Sequence, residues 1–245
     1  MKTKLKRSAA LLTACLPAII YVIWLNAYYW LLEAGRYQSF IQPKLWPLLI
    51  LALVLLLAFA AASFSGLSSK TGTPLRWDVW VKAAILVVPA VFLWTIYGQS
   101  LGADAFVKRL VGTDQGVFRA AAGLNPKPSE GFAGRAETLL DLILYAEKFN
   151  GQRVAVEGMV YRGAAVEDNS FKLFRFAVAC CAADALPFSV RVKTPAIDHL
   201  PNDTWVRVEG LFSLAVLHDK KRASILADTV LPIPAPPPEQ RYLFF

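Results

Sequence analysis

Three long apolar stretches, all in the first hundred residues, constrain this chain more than any other feature. From Ser8 to Leu32 there is no charge, and the run LLTACLPAIIYVIWLNAYYWLL is long enough to cross a bilayer. A helix rises 1.5 Å per residue and the hydrocarbon core is about 30 Å thick. A second uncharged stretch extends from Leu45 to Ser69 around WPLLILALVLLLAFAAASF, and a third apolar run, WVKAAILVVPAVFLWTIY, ends at Tyr97. Lys82 lies near one end of the third, where its stem can carry the ammonium to the headgroups. Tyr29, Trp30, Trp46, Trp80, Trp94 and Tyr97 gather at the ends of these runs, the depth at which an amphipathic ring meets both lipid and water. The expectation is a membrane α plus β chain. A transmembrane module fills 1–98, with spans at about 9–32, 46–63 and 79–97.

The first run also invites comparison with a secretory signal, because KTKLKR precedes it. A signal h-region is about 7 to 15 residues and ends at small residues, whereas this run continues into the bulky AYYWLL, so it is expected to stay as an anchor. Cytoplasmic loops carry excess Lys and Arg. Placing the N-terminus inside puts Lys2, Lys4, Lys6, Arg7, Lys70, Arg76 and Lys82 on that side and leaves only Arg36 and Lys44 outside. Three spans then send the remainder of the chain to the extracytoplasmic side of a cell (inner) membrane.

The formal charge of +8 raises the question of nucleic acid, and its distribution answers it. Residues 1–104 hold nine basic and three acidic side chains, leaving 17 against 15 for residues 105–245. The segment outside the lipid is close to neutral and has no basic stripe, so no nucleic acid partner is expected. Three cysteines, with Cys15 inside a span, do not make a disulfide framework.

Residues 99–135 read as a linker with a short helix, broken by glycines and by NPKPSEG. AETLLDLILYAEKF then sets Leu139, Leu140, Ile143 and Leu144 on one helical face, and Asn150-Gly151 supplies a stop. From there the period becomes two: RVAVEGMVYR, FKLFRFAVACC, PFSVRVKT, TWVRVEGLF and ASILADTVLPI read as five strands. Over 136–245 this suits a small five-stranded barrel of the oligonucleotide/oligosaccharide-binding (OB) type, bent at Gly158 and Gly210, with a five-stranded sandwich as the alternative. The Pro-rich tail PIPAPPPEQRYLFF is expected to run extended, its terminal aromatics docking on the barrel or on a partner.

The most distinctive string is FRFAVACCAADA, with Arg175, Cys180, Cys181 and Asp184 as its polar members. Two soft sulfurs and one hard carboxylate form a candidate metal set, and thiolates favour zinc or another borderline to soft ion. Successive strand residues face opposite ways, so both cysteines reach one ion only if the strand ends or bulges there. His199 and His218 are the imidazoles available to complete a shell. The structural readings stand beside this one: small buried cysteines at a strand end, Asp184 capping a turn and pairing with Arg175, or a strained vicinal disulfide. In DTWVRVEG, Asp203 reads as a turn residue and Trp205 as packing for the barrel. There is no P-loop, Gly-x-Ser-x-Gly, His-Glu-x-x-His or dinucleotide fingerprint, so no enzyme is expected.

GQRVAVEGMVYR, FRFAVACCAADA, DTWVRVEG and the terminal RYLF, set behind a short membrane half, resemble the YcgQ-like family of permease subunits. The resemblance is strong over about the last hundred residues and is one of layout before them. It implies an accessory membrane subunit working beside a larger polytopic permease, with links to zinc handling and the alternative of a membrane-anchored zinc-binding or zinc-delivery protein. Several members carry a His-rich loop between membrane helices, whereas the loop here is SFSGLSSKTGTPLRW. That leaves Cys180, Cys181 and Asp184 as the matched candidate ligands, with Arg175, Asp203, Trp205, Gly210 and Tyr242 as the other matched motif positions.

Overall fold

A computed structural model describes residues 2–66, 77–96, 101–110, 138–163, 169–194, 200–217 and 220–244. It divides into two compact units: Met1–Gln38 with Pro43–Gln99, and Ser39–Gln42 with Ser100–Phe245.

The first unit is helical: α1 (Lys2–Leu32), α2 (Trp46–Gly66) and α3 (Trp77–Ile96). α1 packs on both of the others, and the Trp24 indole donates to the Leu86 carbonyl at 2.9 Å. Cys15–Leu32 and Pro43–Ser63 are long and apolar enough to cross a membrane, and only 11% of each window is buried. A core helix of a water-soluble protein would be mostly covered. Here Leu51, Val54, Leu55 and Phe59 of α2 and Ile85, Val88 and Phe92 of α3 point outward, an apolar surface that suits lipid and not water. The expected third span is a correction. In α3 the apolar stretch among the described residues is Trp80–Thr95, shorter than the other two, with Lys82 inside it near one end.

The second unit is mostly β. Within it α4 (Ala103–Leu110) precedes the strands, and the amphipathic segment folds as two short helices, α5 (Leu139–Leu144) and α6 (Ala146–Phe149), interrupted at Tyr145. Thr138 caps α5 by accepting from the Asp141 amide, and the helix buries Leu142 fully while Leu144 is only partly covered. Gly151, at φ +78°, ends the segment as expected. Most of the 99–135 linker lies outside the described residues.

The strands are β1 (Arg153–Tyr161), β2 (Ser170–Val178), β3 (Leu186–Lys193), β4 (Trp205–Leu217), β5 (Lys220–Pro232) and β6 (Leu243–Phe244). A six-stranded sheet in the order β1-β4-β5-β3-β2-β6 therefore stands in place of a clear five-stranded barrel. β1 also meets β2, through only three residue pairs, Met159–Phe174, Val160–Leu173 and Tyr161–Lys172. β3 and β5 are parallel; β1–β4, β4–β5 and β2–β3 are antiparallel. The sixth strand escaped a reading by period because it has two residues, which is too short for alternation to register.

Alternation sorts the side chains into two cores. Val154, Val156 and Val160 of β1, Phe171, Leu173 and Ala177 of β2, and Val206, Val208 and Phe212 of β4 face one way, and α5 and α6 close over them. Met159, Phe174, Phe176, Val178 and Trp205 face the other way and are covered by Phe106 of α4 and Tyr242 of the tail. β2 is thus buried on both faces, which explains why its sequence is nearly continuous in apolar residues.

Candidate functional site

β2 ends at Val178, so Cys180 and Cys181 fall in the loop that follows and escape the alternation that would part their side chains. A 3-10 turn over Ala182–Asp184 then brings the Asp184 carboxylate back under the loop. One carboxylate oxygen accepts from the amide of Ala179 at 3.1 Å; the other accepts from those of Cys180 at 2.7 Å and Cys181 at 3.2 Å. This forms an anion-holding backbone nest built on the chain's own side chain. Cys180 is exposed, Cys181 half-buried, and both are free thiols. The two sulfurs and a carboxylate oxygen of Asp184 all lie within 4.8 Å of one another.

Those distances set the electrostatics. The Cys180 thiol is pushed up to about 11, chiefly by its hydrogen bond to Asp184 and then by the adjacent Cys181. Partial burial pushes the Asp184 carboxyl up, but hydrogen bonds from the Cys180 thiol and the three amides outweigh it and hold the group below its ordinary value. A carboxylate offers about four lone-pair positions, and here all four are engaged. A cation binding at the thiolates displaces the Cys180 proton and so returns one of those positions to Asp184. Thiolate ligands lie at about 2.3 Å from zinc and carboxylate oxygens at about 2.0–2.2 Å. Ligands on one ion are thus separated by little less than the present spacing, and small side-chain rotations bring all three within reach. The donor set therefore fits a borderline or soft cation. His199 and His218 lie outside the described residues.

The remaining motif residues do not join this cluster; they assemble the second core. Arg175 does not pair with Asp184. It is nearly buried, donates to the Gln240 carbonyl and lies over the Trp205 ring, 5.4 Å from its centroid. Burial lowers its pKa to about 10, partly countered by Glu157. Asp203, in the left-handed region at φ +68°, accepts from the amide of Ala103 and so caps the start of α4. The Tyr242 hydroxyl accepts from the Leu101 amide at 3.2 Å, and Leu243–Phe244 pairs with Ala177–Val178. Gly210 sits at a register shift between β4 and β5.

Sequence reasoning missed two contributors to the Cys180 loop. Ile41 forms an antiparallel bridge with Cys181, with the Gln42 amide donating to the Cys180 carbonyl at 3.0 Å and the Ala182 amide to the Phe40 carbonyl at 2.8 Å. Arg109 of α4 donates to the carbonyls of Ala185 at 2.6 Å and Ala182 at 3.2 Å. Neither has a local signal, since each acts across many tens of residues through backbone groups that any sequence carries.

Residues 135–245 match the DUF1980 C-terminal domain family. A 66-residue segment is 27% identical to the UPF0703 protein YcgQ of Bacillus subtilis (strain 168) and covers 27% of this chain and 23% of that protein. The chain is thus matched over about a quarter of that relative's length. Solved structures with local similarity include a small single-stranded DNA-binding protein from Streptomyces coelicolor. It has 16% identity and a TM-score of 0.26, and the match covers 34% of this chain and 94% of that one. A replication protein A heterotrimer bound to single-stranded DNA gives 17% and 0.21, covering 34% of this chain and 57% of that one. Over residues 135–245 the chain is thus similar to the DUF1980 C-terminal domain family, and over 66 residues to YcgQ.

Proposed function

We propose that this chain is an accessory membrane subunit of a two-component permease complex, with the β unit outside the lipid holding a partner, substrate or ion. The observation that carries the reading is the Ile41–Cys181 bridge. Phe40–Gln42 belongs to the connection between α1 and α2, yet it is built into the β unit. If α1 and α2 both cross, that connection and everything after α3 share one side of the membrane only when α3 crosses too. The reading therefore requires α3, whose apolar stretch Trp80–Thr95 rises about 24 Å at 1.5 Å per residue, to cross as well. With the basic N-terminus inside, the shared side is extracytoplasmic. A membrane-impermeant maleimide is therefore expected to label the exposed Cys180 in intact cells. Labelling only after lysis would place the β unit inside and sink this topology.

The ring of pairings β1-β4-β5-β3-β2-β1, with β3 and β5 parallel, supports reading the five long strands as an OB-like barrel with β6 as an addition. OB proteins that take single strands stack bases on exposed aromatics. Here Phe174 and Phe176 are fully buried, and the ring of Phe106 stacks on Phe174 at 4.3 Å. A chain whose own helix fills that platform, and whose charge outside the lipid is near zero, is better suited to a protein or ion than to nucleic acid.

Among the described residues no Asp, Glu, Lys, Arg or His lies at mid-depth of α1, α2 or α3, where a coupling group is expected. Transport is assigned to the pair and not to this chain alone. Purification of the tagged full chain from native membranes in mild detergent is expected to bring down one larger polytopic protein at close to equal stoichiometry. A solitary chain would overturn the permease reading. The thiol–carboxylate cluster favours a second reading, a membrane-anchored protein that binds or delivers zinc or a similar ion.

A further inference from the structure

The Cys180–Ala185 loop is gripped from two sides by segments that lie next to membrane helices in the sequence. Phe40–Gln42, between α1 and α2, pairs with it along one edge by two backbone hydrogen bonds. Arg109, in α4 and thirteen residues beyond the end of α3, uses both terminal nitrogens of its guanidinium to tie together the carbonyls of Ala182 and Ala185, on either side of Asp184. The same guanidinium lies 5.8 Å from the centre of the Phe176 ring, which limits its swing. Asp184 fixes the loop from within through three amides. The loop thus has an internal anchor and two external ones, while the Cys180 side remains open to solvent. Among the described residues the cluster comprises three donors. Closed structural zinc sites take four protein ligands, whereas three leave a position for an incoming group.

We propose that this loop is an open transfer site for a thiophilic cation, held by Cys180, Cys181 and Asp184, with Arg109 and the Phe40–Gln42 segment as positioning elements. The proposal rests on the second reading given above. Cation binding tightens the loop on which both segments are seated, so occupancy and the seating of Phe40–Gln42 are linked in both directions. The fourth ligand comes from outside the cluster, as a thiol or imidazole of an acceptor, and lets the ion pass on without first leaving for water.

The test uses the full chain in detergent with Cys15→Ser, under reducing conditions, with zinc and cobalt(II) as the probes. One equivalent of zinc is expected, lost in Cys180→Ser and in Cys181→Ser. Arg109→Lys keeps the charge but not the two-pronged geometry. It is expected to weaken zinc about tenfold, in the range found for residues that orient metal ligands, with its melting temperature close to that of the parent. A small monothiol added to the cobalt form is expected to shift its thiolate absorption, and zinc to slow exchange of the Gln42 amide hydrogen. If zinc does not bind at all, the metal reading itself fails. If zinc binds but Arg109→Lys binds as the parent does, or the monothiol leaves the spectrum unchanged, the open, positioned site is wrong while metal binding stands.

Discussion

Gly210→Ala is expected to destabilise the β unit strongly, although it adds a single methyl group. A Cβ at this position would overlap the Leu226 carbonyl oxygen and stand 2.7 Å from Ala227 Cα and 2.8 Å from the Leu226 carbonyl carbon. All three are backbone atoms of the neighbouring strand, and they cannot swing away as a side-chain tip does. The close approach exists because the β4–β5 register slips between Glu209 and Gly210, bending the strand so that Leu211 pairs with Leu226 and Phe212 turns into the core. Relief requires prying β5 from β4 along the longest pairing in the sheet. Overpacking in a core typically costs about 1–3 kcal/mol and sometimes more, and with backbone on the far side the upper end applies. At roughly 2–4 °C per kcal/mol for a domain of about 150 residues, the melting temperature of the full chain in detergent is expected to fall by about 6–12 °C. Gly158 makes the milder comparison. There a Cβ would meet the Phe174 carbonyl at 2.9 Å and the flexible Leu173 side chain at 3.0 Å, so Gly158→Ala is expected to cost less. An unchanged melting temperature in Gly210→Ala would show that the bend does not need glycine.

The sequence made the periodic parts of this architecture legible and hid the parts that depend on distant backbone. The five long strands, the stop at Gly151 and the register shift at Gly210 follow from alternation or from glycine, which are local properties, whereas Gly158 marks a close approach to the Phe174 carbonyl within regular pairing. β4 and β5 run farther than their alternating cores suggest, to Leu217 and from Lys220, because hairpin pairing carries polar residues along once the register is set. Cys180, Cys181 and Asp184 were legible as a group because chemistry-bearing residues crowd one short string, and the condition that the strand end before them is met at Val178. Arg175 illustrates the opposite case. Its nearness in sequence to Asp184 suggested a pair, but the tail folds back to place the Gln240 carbonyl beside it and β4 supplies the Trp205 ring. Sequence distance misleads wherever a buried charge has backbone acceptors within reach. Arg109 was legible as a cation on a short helix but not as the clamp of the Cys180 loop, since that role depends on where α4 lands.

Phe106→Ala tests what α4 does there. The Phe106 ring is fully buried, stacks on Phe174 at 4.3 Å with an interplanar angle of 28°, tilts against Tyr161 at 5.1 Å, and has the Lys172 ammonium 6.0 Å from its centre. It is therefore the central apolar group of the second core, surrounded by Phe174, Tyr161 and Trp205, as a guest ring would be in an aromatic cleft. Truncation removes the burial of one phenyl group and leaves a void that Phe174 and Phe176 cannot close, because their backbone is fixed on β2. The expected cost is about 3–5 kcal/mol, comparable with a large fraction of a domain's total stability. Two results are expected together in the full chain: a marked fall in melting temperature, and faster alkylation of Cys180. The second follows because α4 carries Arg109 one turn beyond Phe106, so losing the ring loosens the clamp on Ala182 and Ala185. A fall in melting temperature with unchanged Cys180 reactivity would separate the second core from the loop and show that Arg109 holds its carbonyls without help from Phe106. If neither quantity moved, α4 would not be seated on Phe174 at all, and the aromatic face of β2 would be open to another ligand.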